Sequence, residues 1–297
     1  MTFADTLAMT LAAEDLGFDA ALLAEHYYAS GIEENYTGGL GSRMAADPWP
    51  FLGGLARETS RIRLGTLVSP VTFRHPSVVA KMAATLDHMS DGRAELGIGA
   101  GWFAREHAAF GFSFPEPKQR VDLVEEQLRV ITGLWSQDPF SFDGAHYQLR
   151  DCHFTPKPVQ QPRPTLIVGG SARAERLPRL AARYADEYTI TLPSIEQCRA
   201  IRARLPEHVR LSVFTPMCIG ETEQQVRERY DFLAETEPQY RRMMNAETAW
   251  IMGTPAQAAQ QIADLERVGV ARLLLSVSCD LHRMMLPLLS GTPAAHG

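Results

Sequence analysis

The strongest constraint on this chain is an alternation. Seven short, almost wholly apolar runs begin at Ala20, Arg61, Ala94, Pro164, Asp186, Arg210 and Ala271, and segments of helical spacing separate them. A strand that is apolar on both faces belongs in a sheet covered on both sides, which is the environment of parallel strands. Strands that alternate with helices specify a doubly wound sheet or a (β/α)8 barrel. Seven strands do not close the usual barrel. The pattern opens on a helix, Phe3 to Leu16, and a strand in front of that helix would complete the eight. The alternation therefore predicts a (β/α)8 TIM barrel lacking its first β-strand.

Local signals agree with this frame. Asp47 followed by Pro48 marks a helix start, as does Pro76, whose helix ends at Gly92. Val121, Val124, Leu128, Ile131, Leu134 and Trp135 form one apolar face of a helix predicted over Lys118 to Trp135. The stretch Gln137 to Arg163 is irregular, with a candidate hairpin in "FSFDGAHYQL", and reads as an insertion (137–163) in one barrel, because the alternation resumes after it. Residues 1–290 are thus expected to form a single domain and 291–297 a flexible tail.

Composition excludes several partners. With 45% hydrophobic and 22% charged residues the chain reads as globular. A net charge of −6 and no basic stripe argue against nucleic acid. The apolar runs are of strand length, too short to span a membrane. No signal peptide is visible, and none of the four cysteines lies in a CxxC pair, so a cytoplasmic protein with reduced thiols is expected.

In a barrel, chemistry gathers at the C-terminal ends of the strands. Two of those ends, "GIGAGW" (Gly97 to Trp102) and "VGGS" (Val168 to Ser171), are glycine-rich turns read as opening onto helices. Such turns let backbone N–H groups approach an anion, so two of them on one rim imply a phosphorylated ligand. The alternative is that the glycines only serve tight turns. His26 ends the second strand, where it either relays a proton or merely caps the strand. Trp102 either walls a flat cofactor or packs the following helix. Glu106 and His107 read as surface or capping residues, and Arg74 and His75 either meet an anionic group or belong to a solvated loop, the loop being the favoured reading. No HxH, HExxH or acidic cluster suggests a metal.

The stretch from "RIRLGTLVSPVTFRHPSVVAKMAATLDHMSDGR" to "AELGIGAGWFAREHAAFG" resembles the luciferase-like monooxygenase family, as do "FDAALLAEHYY" and "FTPKPVQQPRPTLIVGGSARAERLPRLAARYADEY". The wording is most similar to its coenzyme F420-dependent oxidoreductase branch. The resemblance implies a deazaflavin, coenzyme F420, or alternatively FMN, lying across the barrel mouth. Thr66, Leu67 and Val68 match a bulge with a non-prolyl cis peptide, placed at Leu67–Val68, beneath the ring. Gly99, Ala100, Gly101 and Trp102, with Gly169, Gly170 and Ser171, match the cofactor loops, and His26 matches the catalytic histidine. Sugar-phosphate-oxidising members carry an acidic residue where this chain has Trp102, which argues against that substrate. The implied activity is hydride transfer to or from a small organic substrate. The alternatives are an FMN monooxygenase served by a separate reductase and, from another class, an inactive relative without strand one. The family commonly forms homodimers.

Overall fold

The computed structural model describes residues 2–27, 46–236, 250–277 and 280–289. The chain opens with α1 (Phe3–Asp15), held at its start by a reciprocal pair of bonds between Thr2 and Asp5, and continues into β1 (Ala20–Leu23). Then follow α2 (Pro48–Glu58), β2 (Arg63–Thr66), β3 (Ser69–Pro70), α3 (Pro76–Met89), β4 (Ala94–Gly99), α4 (Ala104–Phe110) and α5 (Pro117–Ser136). A hairpin, β5 (Phe140–Asp143) and β6 (Gln148–Cys152), precedes β7 (Thr165–Gly170), α6 (Arg176–Tyr184), β8 (Glu187–Thr191), α7 (Ile195–Arg202) and β9 (Arg210–Ile219). The chain closes with α8 (Glu223–Thr236), β10 (Ile251–Gly253), α9 (Pro255–Arg267), β11 (Arg272–Ser276), α10 (Asp280–Met285) and a 3-10 turn, Leu286–Leu288.

All seven apolar runs are strands of one parallel sheet ordered β1–β2–β4–β7–β8–β9, with β11 beside β9. The short β10, which no apolar run announced, pairs in parallel with the last residues of β9. The sheet is strongly curled. Arg272 on β11 bonds Glu95 on β4 at 2.8 Å, although four strand spacings, about 19 Å in a flat sheet, separate those strands. Glu95 also binds Arg63 of β2 at 2.5 Å, and Glu187 of β8 binds Arg272 at 3.2 Å and Arg210 at 3.0 Å. The concave side is therefore crossed by a buried network of charges, while Leu64, Leu96, Leu166 and Tyr188 face the helices. Among the described residues β1 pairs only with β2 and β11 only with β9.

The Gln137–Arg163 stretch is an insertion with the expected antiparallel hairpin, in which Phe142 faces Leu149. It is not a loose loop. Phe140, Phe142, Leu149 and Phe154 enter the main core, and the Phe140 ring occupies the space that a Cβ on Gly133 of α5 would need. Lys157 caps the end of α5 through the Leu134 and Gln137 carbonyls, at 2.7 and 2.5 Å. The helix that "VGGS" was expected to open begins only at Arg176, five residues beyond Ser171, so "VGGSAR" is an extended turn rather than a helix opening. Cys198 and Cys218 are buried, and burial pushes both thiols up to about 11. Cys279 and the tail 291–297 lie outside the described residues.

One buried carboxylate ties α1 to the turn before β2. Glu14 accepts backbone N–H bonds from Ser60, Arg61 and Ile62 at 2.9, 2.6 and 2.9 Å. Burial alone would raise this carboxyl, and the three donors outweigh it, holding the group below its ordinary 4.5. Glu14→Ala leaves three donors without their acceptor and is expected to cost roughly 1–3 kcal/mol in urea unfolding at neutral pH. A loss below a few tenths would contradict this role.

Candidate active site

The C-terminal edge of the sheet begins with the junction of β1 and β2. Leu23 stands opposite Thr66 in the register, and the Leu67 N–H donates to the Leu23 carbonyl at 2.9 Å. Immediately afterwards the Leu67–Val68 peptide is cis, at the expected position, and the strand divides there into β2 and β3. The Val68 side chain turns onto β4 and β7. A Cβ added at Gly97, Gly99 or Gly169 would come within 2.9, 2.6 or 2.8 Å of a Val68 methyl carbon. These glycines therefore admit Val68, a requirement that reading them as anion loops did not reveal.

The remaining expected cofactor residues divide into two groups. Thr66 is fully buried, and its hydroxyl donates to the Gly97 carbonyl at 3.0 Å, so its side chain is committed to strand pairing. Leu67, Val68, Ala100, Gly101 and Gly170 are half-buried at the rim, and Ser171 is exposed. Gly101 adopts φ +76°, a left-handed conformation that favours glycine. The Gly170 position faces the Tyr188 hydroxyl, which donates to the Ser171 carbonyl at 3.0 Å. Burial pushes that phenol far above its ordinary range.

His26 lies three residues beyond β1, with its side chain about one-quarter exposed. Its Nδ1 is 3.0 Å from Glu106 Oε2, and the other carboxylate oxygen accepts the Tyr27 N–H at 2.5 Å. Trp102 meets the His26 ring edge to face, with centroids 5.8 Å apart, and stacks on Phe103 at 5.1 Å. Trp102 is 67% exposed, a large apolar ring left open beside a histidine. Its stacking partner Phe103 is the N-cap residue of α4, so Trp102 packs on the helix start with much of its ring left open.

Glu106 and His107 correct the expectation that they were surface or capping groups, since both are buried. They are consecutive on α4 yet both point inward, Glu106 to His26 and His107 to Thr72, whose hydroxyl lies 2.6 Å from Nε2. Glu106 lies in the first turn of α4, where an acidic residue reads as a capping group, so no sequence signal points to its contact with His26.

Arg74 is likewise no solvated loop residue. Its guanidinium binds Glu25 at 2.8 Å, Asp47 at 2.5 Å and the Tyr27 hydroxyl at 2.6 Å, while Glu25 also accepts from the Trp49 indole at 3.4 Å. Burial would lower the Arg74 guanidinium, and Glu25 and Asp47 outweigh it and keep it charged. Burial, then the Glu25 charge, pushes the Tyr27 phenol up to about 12. Only His75 keeps a local role, as the N-cap of α3. The loop residues 28–45 lie outside the described residues.

A curled parallel sheet flanked by helices, with a histidine and an open aromatic ring at its C-terminal edge, is an α/β fold whose strand ends are the usual place for chemistry. The family model for luciferase-like monooxygenases matches residues 1–272, and the chain belongs to that family. An FMNH(2)-dependent dimethylsulfone monooxygenase of Pseudomonas putida is 28% identical over 88% of this chain and 79% of its own length. An F420-dependent glucose-6-phosphate dehydrogenase of Beutenbergia cavernae is 36% identical over 63% of this chain, which spans about half (52%) of that relative. The fold matches an F420-dependent secondary alcohol dehydrogenase, solved with an F420-acetone adduct, at a TM-score of 0.80 and 19% identity, covering 100% of this chain and 96% of that one. It also matches the monooxygenase RslO1 from Streptomyces bottropensis, with a TM-score of 0.80, 22% identity and coverage of 99% and 92%. Relatives of the chain thus include both deazaflavin-dependent oxidoreductases and FMN-dependent monooxygenases. Among the described residues no helix is long and apolar enough to cross a membrane.

Proposed function

We propose that the chain is an oxidoreductase that holds coenzyme F420 across the C-terminal mouth of the sheet and serves hydride transfer to or from a small organic substrate. The single observation that carries this reading is His26: Glu106 engages its Nδ1, the open ring of Trp102 lies beside it, and among the described residues none bonds Nε2. The deazaflavin, when bound, supplies a carbon centre that accepts or releases hydride. His26 binds the substrate oxygen at Nε2 and takes or returns its proton as hydride leaves or arrives.

The rim fits a planar ring with a phosphate-bearing tail. Leu67, Val68 and Trp102 offer apolar surface, and Gly101 leaves an approach to the backbone with no neighbouring atom nearer than 3.4 Å to its missing Cβ. Gly169, Gly170 and Ser171 form an extended turn at the rim, with Gly170 half-buried and Ser171 exposed, where backbone groups can meet an anion. Gly99 and Ala100 shape this floor, and Thr66 braces it.

A second reading is an FMN-dependent monooxygenase supplied by a separate reductase, favoured by the 88% of this chain that the dimethylsulfone monooxygenase covers. The finer fold belongs to the same proposal: residues 1–290 form one (β/α)8 barrel domain, in which the interval between β1 and β11 is the place of strand one. A homodimer in the cytoplasm, with a flavin or deazaflavin reductase as partner, is supported by the family resemblance.

Equilibrium binding of F420, FMN and reduced FMN to the purified chain tests the cofactor. The deazaflavin is expected to bind tightest; tighter binding of reduced FMN selects the second reading, and binding of none overturns both. Glucose 6-phosphate, 2-propanol and dimethyl sulfone, suggested by the relatives' names, begin the substrate panel. With any substrate that turns over, His26→Asn is expected to lower kcat by about 10²–10⁴-fold while cofactor affinity stays the same. Unchanged turnover would remove His26 from the chemistry.

A further inference from the structure

We propose that Glu106 is a positioning residue that sets the tautomer of His26, holding the proton on Nδ1 and leaving Nε2 as the acceptor that faces substrate. The proposal rests on the reading of His26 as the acid–base group, and its own geometry is independent of any cofactor. An ionised carboxylate only accepts hydrogen bonds. Glu106 accepts through Oε1 the Tyr27 backbone N–H, a donor with no other protonation state, and stands 3.0 Å from His26 Nδ1 through Oε2. The ring nitrogen on that side must therefore carry its proton, and the neutral imidazole then has its lone pair on Nε2. The carboxylate is 1% exposed against 26% for His26, so bulk water does not compete for the bond. Trp102 and Phe103, edge-on at 5.8 and 6.4 Å, restrict rotation of the ring about the same axis.

The two bonds make a sharp distinction between glutamate and glutamine at this position. In Glu106→Gln the Tyr27 N–H still demands an acceptor, so the amide oxygen stays on Tyr27 and the NH2 group turns to His26. Nδ1 must then accept, and the proton moves to Nε2. The substitution preserves shape and the Tyr27 contact yet inverts the imidazole. A carboxylate that only capped the Tyr27 backbone would leave the tautomer unchanged, because glutamine caps Tyr27 equally well.

The test is the 15N spectrum of histidine-labelled protein at about pH 8, above the ordinary imidazole range, with His26 assigned by its absence in His26→Asn. The wild-type chain is expected to show a protonated Nδ1 and a pyridine-like Nε2, and Glu106→Gln the reverse. Turnover in Glu106→Gln is expected to fall about 10²–10⁴-fold with KM little changed, as when an orienting carboxylate is amidated in a catalytic triad. Glu106→Asp, which keeps the carboxylate, should retain the wild-type tautomer.

A wild-type chain with its proton on Nε2, or a Glu106→Gln spectrum identical to wild type, overturns the proposal. The wild-type spectrum alone decides it should Glu106→Gln fail to fold. Inversion of the tautomer without loss of turnover would leave the positioning geometry standing and reject the acid–base reading of His26.

Discussion

Replacing Arg272 by alanine is expected to lower the stability of the fold by about 3–5 kcal/mol, the usual loss when one partner of a buried ion pair is removed. Arg272 is 9% exposed at its side chain and bonds Glu95 at 2.8 Å and Glu187 at 3.2 Å, both carboxylates being within 1% of complete burial. Without it Glu187 keeps only the half-exposed Arg210, Glu95 keeps Arg63, and the charge facing the concave side has nothing opposite it. Burial alone would raise the Glu95 carboxyl. Arg272 first and Arg63 next outweigh burial and hold it below its ordinary 4.5. The sign of the pH dependence follows: this stabilisation is complete above 4.5 and is lost as pH falls through the lower folded-state value. The gap between wild type and Arg272→Ala in urea unfolding should therefore be widest near neutrality and narrow in acid. A gap under about 1 kcal/mol at neutral pH, or one that widens in acid, would contradict the role given to this network. Exchanging the arginine and both glutamates for apolar residues of similar volume should restore much of the loss, because the cost lies in unpaired charge.

Gly97→Ala is expected to be comparably severe, at roughly 3 kcal/mol or more, for a steric reason. A Cβ at this position overlaps the backbone carbonyl of Thr66 on the neighbouring strand and reaches within 2.9 Å of a Val68 methyl. The backbone cannot yield without parting β2 from β4 and breaking the bond from the Thr66 hydroxyl to the Gly97 carbonyl. Gly99→Ala differs in kind, since its nearest obstacle is a Val68 methyl at 2.6 Å and its nearest backbone atom lies at 3.7 Å. Val68→Ala should accordingly rescue Gly99→Ala but not Gly97→Ala. A double-mutant cycle with a favourable coupling of about 0.5–3 kcal/mol for the Val68–Gly99 pair checks this. Equal rescue at both positions would mean that Val68, rather than the Thr66 carbonyl, limits the space.

The candidate site was legible in part, and the division has a physical pattern. His26 and Trp102 lie at the sheet edge where the sequence puts them, because they follow closely on strands and a parallel sheet delivers residues to one edge. The cis peptide at Leu67–Val68 came from resemblance, and nothing in composition or spacing would have located it. Glu106, His107 and Arg74 were misjudged because polarity in a loop or short helix reads as exposure. Burial became favourable only once partners 80, 35 and 49 residues away, His26, Thr72 and Glu25, were brought against them. The glycines of β4 and β7 stand out in the sequence, yet they make room for a valine that sequence order places about thirty and one hundred residues earlier.

The sequence by itself determined the class of the fold. Runs that are apolar on both faces have no stable place except a covered parallel sheet, and the helical spacing between them supplies the cover. What only the tertiary structure decided is which polar groups meet. The curl of the sheet brings Arg272 to Glu95, and the docking of α4 over the end of β1 brings Glu106 to His26. Patterning acts along the chain and reports local burial, whereas a charge or hydrogen bond in a dry interior depends on the identity of a partner that chain distance does not reveal.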